Sequence, residues 1–255
     1  LRTSGNVLKS GNTAMIAFLA SKLFCAFCFS STLTIVLTFS CSFSNVFVIT
    51  GFEVIWLDAI ASGLSYEDFL KRIREERPDI VAMETKTPVV KRHWKIIDDL
   101  KKLVTGDWQL ATVLFGDHVT ALPEESFSNS KVDYVLTGGD YDFLLKNLCN
   151  VINDRPCLSG RQASTIDYKQ FEPGIWYRHD DQVKNTGKFK LEHDLNSLPV
   201  IDRELTQWKL YAYKNGNFKR TPGTYIMAGR DCWWGKCSFC SWPTLYPQFR
   251  SRRPE

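Results

Sequence analysis

Three cysteines lie within nine residues near the C-terminus, in the stretch CWWGKCSFC at positions 232–240. Cys232, Cys237 and Cys240 have the spacing C-x4-C-x2-C, with a glycine, a lysine and three aromatic residues between them. Thiolates are soft ligands that suit zinc or iron–sulfur clusters, and this spacing lets one loop wrap around a metal. The stretch therefore predicts a metal centre held by a single loop.

The number of ligands distinguishes the two kinds of metal centre. A structural zinc site takes four protein ligands, and no histidine or cysteine follows Cys240 in the chain. Three thiolates on one loop instead suit a four-iron cluster with one iron left open for chemistry. We therefore predict a [4Fe-4S] cluster, with a zinc site or an incidental group of cysteines as the alternatives.

The other five cysteines indicate a reducing compartment. They are Cys25, Cys28, Cys41, Cys149 and Cys157, scattered in mostly apolar surroundings. A secreted disulfide scaffold would be short and would space its cysteines through its loops. Cys149 falls on the apolar face of a predicted helix, where a thiol behaves as a small hydrophobe. We predict a cytoplasmic protein.

Charge is unevenly distributed along the 255-residue chain, whose net charge is +4. Residues 208–255 contain nine Lys or Arg side chains against two acidic ones, a local charge of +7. Such a segment forms either a solvated basic surface or a site for an anionic substrate, a cofactor phosphate or nucleic acid. We do not expect nucleic acid to be the partner.

Residues 1–50 differ from the rest of the chain. Lys22 is the only charged side chain between Gly11 and Phe52, and residues 23–43 form an uncharged run rich in Ser, Thr, Phe and Cys. The run is long enough to cross a bilayer, but it lacks the aliphatic density of a membrane helix and the cleavage site of a signal peptide. We predict an atypical apolar leader, with a membrane segment or a cleaved signal as alternatives.

From Phe52 onward, short apolar runs alternate with helical patterns, which is typical of a parallel sheet covered by helices on both faces. The predicted strands are FEVIWLDA, DIVAMET, QLATVLFG and VDYVLTG, and the predicted helices are SYEDFLKRIREERP, VVKRHWKIIDDLKKLV and YDFLLKNLCNVI. In such sheets, ligands bind beyond the carboxyl ends of the strands. The candidate binding loops are therefore 84–90, 116–125 and 137–142.

Two of these loops contain groups suited to binding. Gly138 and Gly139 permit close approach of the backbone, and the helix after them offers free N–H groups to an anion; a simple tight turn is the alternative. His118 lies at a strand end, where it suits a metal ligand or an acid–base group; a hydrogen-bonded loop histidine is the alternative.

Beyond Cys157 the pattern changes. GIWYRHDDQVKNTGKF alternates apolar and polar residues around a polar turn and predicts a β-hairpin, and DLNSLPVIDREL predicts an extended linker. TYIMAGR predicts a short strand that leads into the cysteine loop. We divide the chain into an apolar leader (1–50), an α/β domain (51–156), a hairpin and linker (157–220) and a segment with the cysteine loop (221–255).

The stretch RDCWWGKCSFCSW resembles the cluster loop of the radical S-adenosylmethionine (SAM) enzymes, whose usual pattern is C-x3-C-x-aromatic-C. The second half matches, and the first spacing is one residue longer. The resemblance implies that Cys232, Cys237 and Cys240 bind a [4Fe-4S] cluster whose open iron binds SAM, and that Phe239 lies near the adenine of SAM. Electron transfer from the cluster, supplied by a donor such as flavodoxin or ferredoxin, would then produce a 5′-deoxyadenosyl radical.

The preceding α/β region is similar to the cobalamin-binding domain and linker of the B12-dependent radical SAM class, so that the resemblance covers about residues 51–255. The order of PDIVAMETKTP, GDHVTALPEE, VDYVLTGGDYDFLLKNL, GIWYR, NTG and DLNSLPVIDREL carries it. It implies a Rossmann-like, flavodoxin-like parallel-sheet domain, a linker and the beginning of a radical SAM partial TIM barrel.

This resemblance places a corrinoid, cobalamin, against the strand ends. The implied wall residues are Thr85, Thr87, His118, Val119, Thr120, Gly138, Gly139 and Asp140. Many cobalamin domains use D-x-H-x-x-G, in which the histidine is the lower ligand of cobalt. Here Asp117 and His118 are adjacent and the glycine is absent, so we do not expect His118 to ligate cobalt.

The sequence departs from the family at both ends. Residues 1–50 show no strand, Pro-rich loop and helix, so the first βα unit is expected to be missing or replaced. A barrel needs roughly two hundred residues after the cluster loop, whereas fifteen follow Cys240. We therefore expect an N-terminal fragment that is inactive alone.

The resemblance implies a cobalamin-dependent radical SAM enzyme that transfers a methyl group to an unactivated carbon or phosphorus, or performs a related rearrangement or cyclisation. Its small-molecule substrate is not identified by the sequence. One alternative is a non-catalytic corrinoid- or metal-binding module. The other is a relative of the tRNA-modifying methylthiotransferases, although the N-terminal domain lacks their second set of three cysteines.

Overall fold

The computed structural model describes residues 15–17, 34–38, 52–153, 166–199, 203–204, 207–213, 218–224 and 229–254. The strands in these ranges are β1 (Met15–Ala17), β2 (Thr34–Thr38), β3 (Glu53–Leu57), β4 (Ile80–Glu84), β5 (Ala111–Phe115), β6 (Tyr134–Leu136), β7 (Ile175–His179), β8 (Gln182–Asn185), β9 (Gly229–Arg230) and β10 (Arg250–Ser251). The α-helices are α1 (Tyr66–Glu76), α2 (Val90–Leu103), α3 (Asp117–Ala121), α4 (Pro123–Asn129), α5 (Tyr141–Asn153), α6 (Lys209–Ala212) and α7 (Trp242–Leu245). Short 3-10 turns lie at Tyr168–Gln170 and Leu195–Ser197.

Eight of the described strands form one sheet in the order β1-β3-β2-β4-β5-β6-β7-β8. Strands β2 to β6 are parallel to their neighbours within this set. Numbered along the chain from β2, these five strands have the spatial order 2-1-3-4-5, which is the flavodoxin-like arrangement. The predicted α/β fold with a parallel-dominated sheet is confirmed.

Strand β2 lies within residues 1–50, where the sequence predicts no strand. Its residues 35–38 pair with residues 80–83 of β4, and Thr34 pairs with Glu53 of β3. This strand is the first along the chain of the five parallel strands, and it lies in the region where the first βα unit is expected to be missing or replaced. The uncharged run around it hides the strand, because a stretch of this length without charges favours a leader or a membrane segment over a five-residue strand. Most of the run 23–43 lies outside the described residues.

Helices cover both faces of the parallel sheet. Successive side chains of a strand point to opposite faces, so β3, β4, β5 and β6 each contribute to two apolar layers. On one face, α5 packs against alternate strand residues, and the buried set includes Val54, Ala82, Val113, Leu136, Leu145, Leu148 and Cys149. On the other face, α1 and α2 pack against the intervening residues, and the buried set includes Ile55, Val81, Leu114, Val135, Phe69, Ile73, Trp94 and Ile97. Cys149 is buried, as predicted.

Local chemistry sets the limits of α1. Ser65 accepts a hydrogen bond from the backbone N–H of Asp68 at 3.0 Å, which satisfies one of the free donors at the start of a helix. The helix ends at Glu76, and the next residue, Arg77, has a left-handed backbone and donates its N–H to the carbonyl of Ile73. Pro78 follows and cannot continue the helix. The predicted helix is confirmed.

The segment 116–125 was predicted as a loop, but the structure forms helices α3 and α4 there. The backbone breaks between them at Leu122, and Pro123 begins α4. Proline suits this first helical position because its missing N–H would have no helical partner. The helices are too short for an apolar periodicity to predict them, and the proline within the segment favours a loop in a sequence-based prediction.

Strands β7 and β8 form the predicted hairpin. They pair antiparallel with each other, and β7 pairs antiparallel with β6 through Tyr134↔Tyr177. The hairpin therefore extends the sheet of the α/β domain. The division of the chain at residues 51, 157 and 221 stays a prediction. None of the helices in the described ranges is long and apolar enough to cross a membrane.

We expect Leu114→Ala to lower the free energy of unfolding by about 2–5 kcal/mol, because the substitution leaves a cavity in a closely packed core. Leu114 is fully buried between the central sheet and α2. Ile60, which is 79% exposed, provides the control, and Ile60→Ala should cost less than about 0.5 kcal/mol. Urea denaturation followed by circular dichroism measures both values. Equal costs for the two substitutions would contradict this packing.

Candidate cofactor site at the strand ends

Three loops follow neighbouring parallel strands and meet at one edge of the sheet. They comprise residues 84–87 at the end of β4, 116–120 after β5, most of which belong to helix α3, and 137–142 after β6. We call them together the strand-end site. The first two loops touch through their backbones, because the N–H of Thr85 donates to the carbonyl of Phe115 at 2.7 Å. A Cβ atom at Gly116 would lie 2.3 Å from the Thr85 carbonyl oxygen, and Gly116 has a φ of 120°. Only glycine permits this approach.

His118 joins the first loop to helix α4. Its Nδ1 lies 3.2 Å from Thr87 Oγ1, and its Nε2 lies 2.9 Å from Glu125 Oε2. The imidazole is buried beside Trp94, whose ring it meets edge to face. Both ring nitrogens therefore contact protein groups. Val119, the next residue, is completely buried in the apolar layer beneath the site.

Thr120 connects the second loop to the third. Its hydroxyl donates to the carbonyl of Gly116 at 2.9 Å and accepts from the N–H of Gly138 at 3.1 Å. The same oxygen lies 2.9 Å from the hydroxyl of Tyr141. Thr120 thus fixes the positions of two of the candidate binding loops relative to each other.

The two glycines of TGGD allow close approach, as their sequence predicts. A Cβ atom at Gly138, whose φ is 88°, would lie 2.4 Å from the Phe189 ring. A Cβ atom at Gly139 would lie 3.4 Å from the ring of Tyr246. The groups that approach in this structure are aromatic side chains from the linker and the C-terminal segment.

Tyr246 attaches the C-terminal segment to the strand-end site. Its hydroxyl donates to Asp117 Oδ1 at 2.7 Å and lies 2.7 Å from the hydroxyl of Tyr141. The side chain is almost fully buried. The residue that follows α7 is therefore part of the edge at which the parallel strands end.

Two arginines of the C-terminal segment form buried ion pairs with the third loop. Arg250 donates to both carboxylate oxygens of Asp140, at 2.6 and 2.7 Å. Arg230 donates to Asp140 at 2.8 Å and forms a bidentate pair with Asp142. Burial opposes ionisation of Asp140, but the hydrogen bonds from His193 and Arg250 and the nearby charges outweigh it and hold its pKa below the usual range.

His193 extends this network into the linker. Its Nδ1 lies 2.9 Å from Asp140 and its Nε2 lies 2.9 Å from Glu172. Its ring stacks on Phe143 with a centroid distance of 4.2 Å. The hydrogen bonds to Asp140 and Glu172 raise the pKa of His193 to about 9, although burial acts in the opposite direction. The imidazole is therefore protonated at neutral pH.

Two buried polar atoms at the strand-end site have no hydrogen-bond partner among the described residues. They are Glu84 Oε2 and Thr85 Oγ1. Burial raises the pKa of Glu84 to about 7, and Asp117 adds to this effect, while Lys86 opposes it. Buried polar atoms normally have partners. These two atoms at the edge of the sheet are therefore suited to hydrogen-bond with a polar ligand.

The cysteine loop is accessible to solvent. Cys232 and Cys240 are exposed, Cys237 is partly exposed, and all three are free thiols. Three cysteine thiolates are the kind of ligand that binds an iron–sulfur cluster. No three His, Cys, Asp or Glu side chains of the described residues are arranged to hold a metal ion together. The assignment of these cysteines as cluster ligands, and of exposed Phe239 to the adenine of SAM, stays a prediction.

The structure brings most of the predicted wall residues to one edge. Thr85, Thr87, Thr120, Gly138 and Gly139 lie on the adjoining loops, whereas Val119 belongs to the core and Asp140 is occupied by its ion pairs. Their contact with cobalamin stays a prediction. The sequence did not predict the site residues Glu84, Tyr141, Asp142, His193, Arg230, Tyr246 and Arg250. The local excess of basic residues was the only signal, and it did not show that two arginines are buried.

Comparisons with known proteins find one distant sequence relative and several solved structures with a similar fold. No protein-family model matches the chain. Over 185 residues, the chain is 22% identical to an uncharacterized methyltransferase of Pyrococcus horikoshii. The matched region covers 72% of this chain and 36% of that protein. The chain therefore spans about a third of the length of this relative.

Solved structures are similar to the greater part of the chain. One is the radical SAM methyltransferase TsrM of Kitasatospora setae, solved with tryptophan substrate and a SAM analogue, with a TM-score of 0.55, 18% identity and coverage of 86% of this chain and 43% of that chain. Another is the cobalamin-dependent SAM radical enzyme OxsB, solved with aqua-cobalamin and SAM, with a TM-score of 0.58, 15% identity and coverage of 85% and 29%. At these identities, the likeness shows a shared fold.

We expect His193→Gln to lower the free energy of unfolding by on the order of 2 kcal/mol at pH 6. The folded-state pKa of His193 is raised to about 9, so the stabilisation is complete below the unfolded pKa of about 6.5 and is lost as the pH rises through 9. The side chain is 24% exposed, and solvent screening reduces the effect below the full value of the shift. Chemical denaturation at pH 6 and pH 10 measures it. A difference that does not shrink at pH 10 would contradict the ion-pair origin.

Proposed function

We propose that this chain carries the cobalamin-binding domain and the cluster loop of a cobalamin-dependent radical SAM methyltransferase. One observation carries the proposal: a flavodoxin-like sheet whose strand-end loops are joined by buried ion pairs to a C-x4-C-x2-C loop. The shared fold with TsrM and OxsB and the match to a methyltransferase support it.

Cobalamin would lie against the strand-end site. When bound, cobalamin supplies methyl-group chemistry, and the cluster supplies the electron that cleaves SAM. The amide groups around a corrin ring need hydrogen-bond donors and acceptors, and the buried Thr85 hydroxyl can serve as either. Glu84 has a pKa of about 7, so near neutral pH a large fraction of it holds a proton that it can donate to an amide oxygen.

The chain's own residues would also exclude water from this edge. The aromatic rings of Phe189 and Tyr246 cover the two glycines of the third loop, and Thr120 and Tyr141 fix that loop against the second. Cys232, Cys237 and Cys240 would hold the cluster, and Phe239 would contact the adenine of SAM. The substrate would be a small molecule, with a flavodoxin or ferredoxin as the electron donor.

The cluster assignment is tested by anaerobic reconstitution of the full chain with iron and sulfide. We expect about four iron atoms per chain, a broad absorption near the visible range and, after reduction, an EPR signal that changes when SAM is added. The variant with Cys232, Cys237 and Cys240 replaced by alanine should bind no cluster, because it lacks all three thiolates. Cys149→Ala is the matched control and should leave the iron content unchanged. A cluster that survives in the triple variant would overturn the assignment.

The corrinoid assignment is tested separately by titration with hydroxocobalamin, followed by its visible spectrum. We expect Thr85→Ala to weaken binding about three- to tenfold, because one hydrogen bond contributes about 1 kcal/mol. Thr105→Ala is the matched control, because Thr105 is exposed after α2, at the opposite edge of the sheet. The affinity of this variant for hydroxocobalamin should equal that of the wild-type chain. Binding of hydroxocobalamin without cluster formation would favour the non-catalytic corrinoid-binding module. Absence of binding in the wild-type chain would overturn the assignment.

A further inference from the structure

The cysteine loop is closed at its base by a two-stranded ribbon. Strand β9 pairs antiparallel with β10, so that Arg230 lies opposite Arg250. Residues 231–249 between these strands form one excursion of the chain, and all three cysteines of the loop lie on it. Whatever fixes the ribbon therefore fixes the base of the cysteine loop.

The ribbon is attached to the α/β domain by two arginines and two aspartates. Both arginines donate to Asp140, and Arg230 also forms a bidentate pair with Asp142. The four side chains are between 2% and 11% exposed. Bidentate arginine–carboxylate pairs are directional as well as strong, so they fix orientation in addition to distance. Water competes little with these ion pairs, because the four side chains are buried.

The two aspartates belong to an element that is itself rigidly placed. Asp140 and Asp142 lie at the start of α5, where the helix dipole favours negative charge. The carbonyl of Asp140 accepts from the N–H of Leu144 in the first turn of the helix. The same third loop contains Gly138, which is held to the second loop through Thr120. One short segment thus forms part of the strand-end site and anchors the ribbon.

We propose that Arg230 and Arg250 are positioning residues that hold the cysteine loop in a fixed place relative to the strand-end site, through Asp140 and Asp142. This inference deepens the proposed function and rests on it for the identity of the two cofactors. A fixed placement matters because two reacting centres that act in one reaction lose rate steeply when they are displaced by about 1 Å. Arginine remains charged at all physiological pH values, so the attachment is permanent.

Lysine is not an adequate replacement for either arginine. An ammonium group is a point donor without the planar fork that engages two carboxylate oxygens. Arg230→Lys should therefore retain the charge and lose the orientation, which separates positioning from simple neutralisation of Asp142. The double variant Arg230→Gln with Asp142→Asn removes both charges together. It keeps the protein testable if a single substitution prevents folding by leaving an unpaired buried charge.

The first test needs no cofactor. Hydrogen–deuterium exchange of the full chain should show at least tenfold faster exchange of amides in residues 229–251 in Arg230→Lys and in the double variant, with the sheet unchanged. Arg77→Gln is the matched control, because it breaks an ion pair with Asp107 on the exposed surface. Unchanged exchange of residues 229–251 in both Arg230 variants would overturn the attachment.

The second test measures placement. In the reconstituted chain, a reduced cluster and cob(II)alamin are both paramagnetic, so pulsed EPR gives the distribution of distances between them. We expect one narrow distribution in the wild-type chain and in Arg77→Gln, and a width at least doubled in Arg230→Lys and the double variant, with iron and corrinoid contents unchanged. A role in stability alone would change the amount of folded protein and leave the width unchanged.

The outcomes separate the inference from the proposed function. A wild-type chain that binds no cluster or no corrinoid refutes the proposed function and, with it, the placement of two cofactors; hydrogen exchange then decides whether the arginines hold the loop at all. A wild-type chain that binds both, with the same narrow distribution in every variant, refutes the positioning role alone.

Discussion

The arrangement of the candidate site depends on a buried group of four charges. Asp140 and Asp142 would be costly to bury alone, and so would Arg230 and Arg250, but together they neutralise one another with directional hydrogen bonds. The aspartates are close in sequence and lie at a helix start, whereas Arg230 is 90 residues and Arg250 is 110 residues beyond Asp140 in the chain. This interaction joins the C-terminal segment to the edge of the sheet where the parallel strands end.

A second constraint, the geometry of parallel strands, gathers the rest of the site. Because β4, β5 and β6 run in one direction, the loops that follow them meet at the same edge, although 28 residues separate the first from the second and 16 the second from the third. Glycine at 116 lets two of these loops touch through their backbones, and Thr120 joins the second to the third. Contacts within the protein therefore hold the three loops together without a ligand.

Part of this arrangement could be predicted from the sequence. Apolar runs of strand length that alternate with amphipathic helices identified β3 to β6, α1, α2 and α5, because burial imposes its periodicity on the residues themselves. Strand β2 was missed, because the uncharged run around it has the length of a leader or membrane segment, which conceals a strand of five residues. Helices α3 and α4 were also missed, since each is only a few residues long and Pro123 favours a loop.

The sequence by itself determined the α/β class and that the segments after β4, β5 and β6 meet at one edge, because these depend on local patterns and residue types. The assignment of Cys232, Cys237 and Cys240 as cluster ligands, made from residue types and spacing, stays a prediction. Only the tertiary structure decided that Arg230 and Arg250 are buried partners of Asp140 and not part of a solvated basic surface. It also decided that Val119 belongs to the core and that Tyr246 covers Gly139. The physical reason is that the partner of a charge or a ring is chosen by proximity in space, which distant segments acquire only when the sheet has formed.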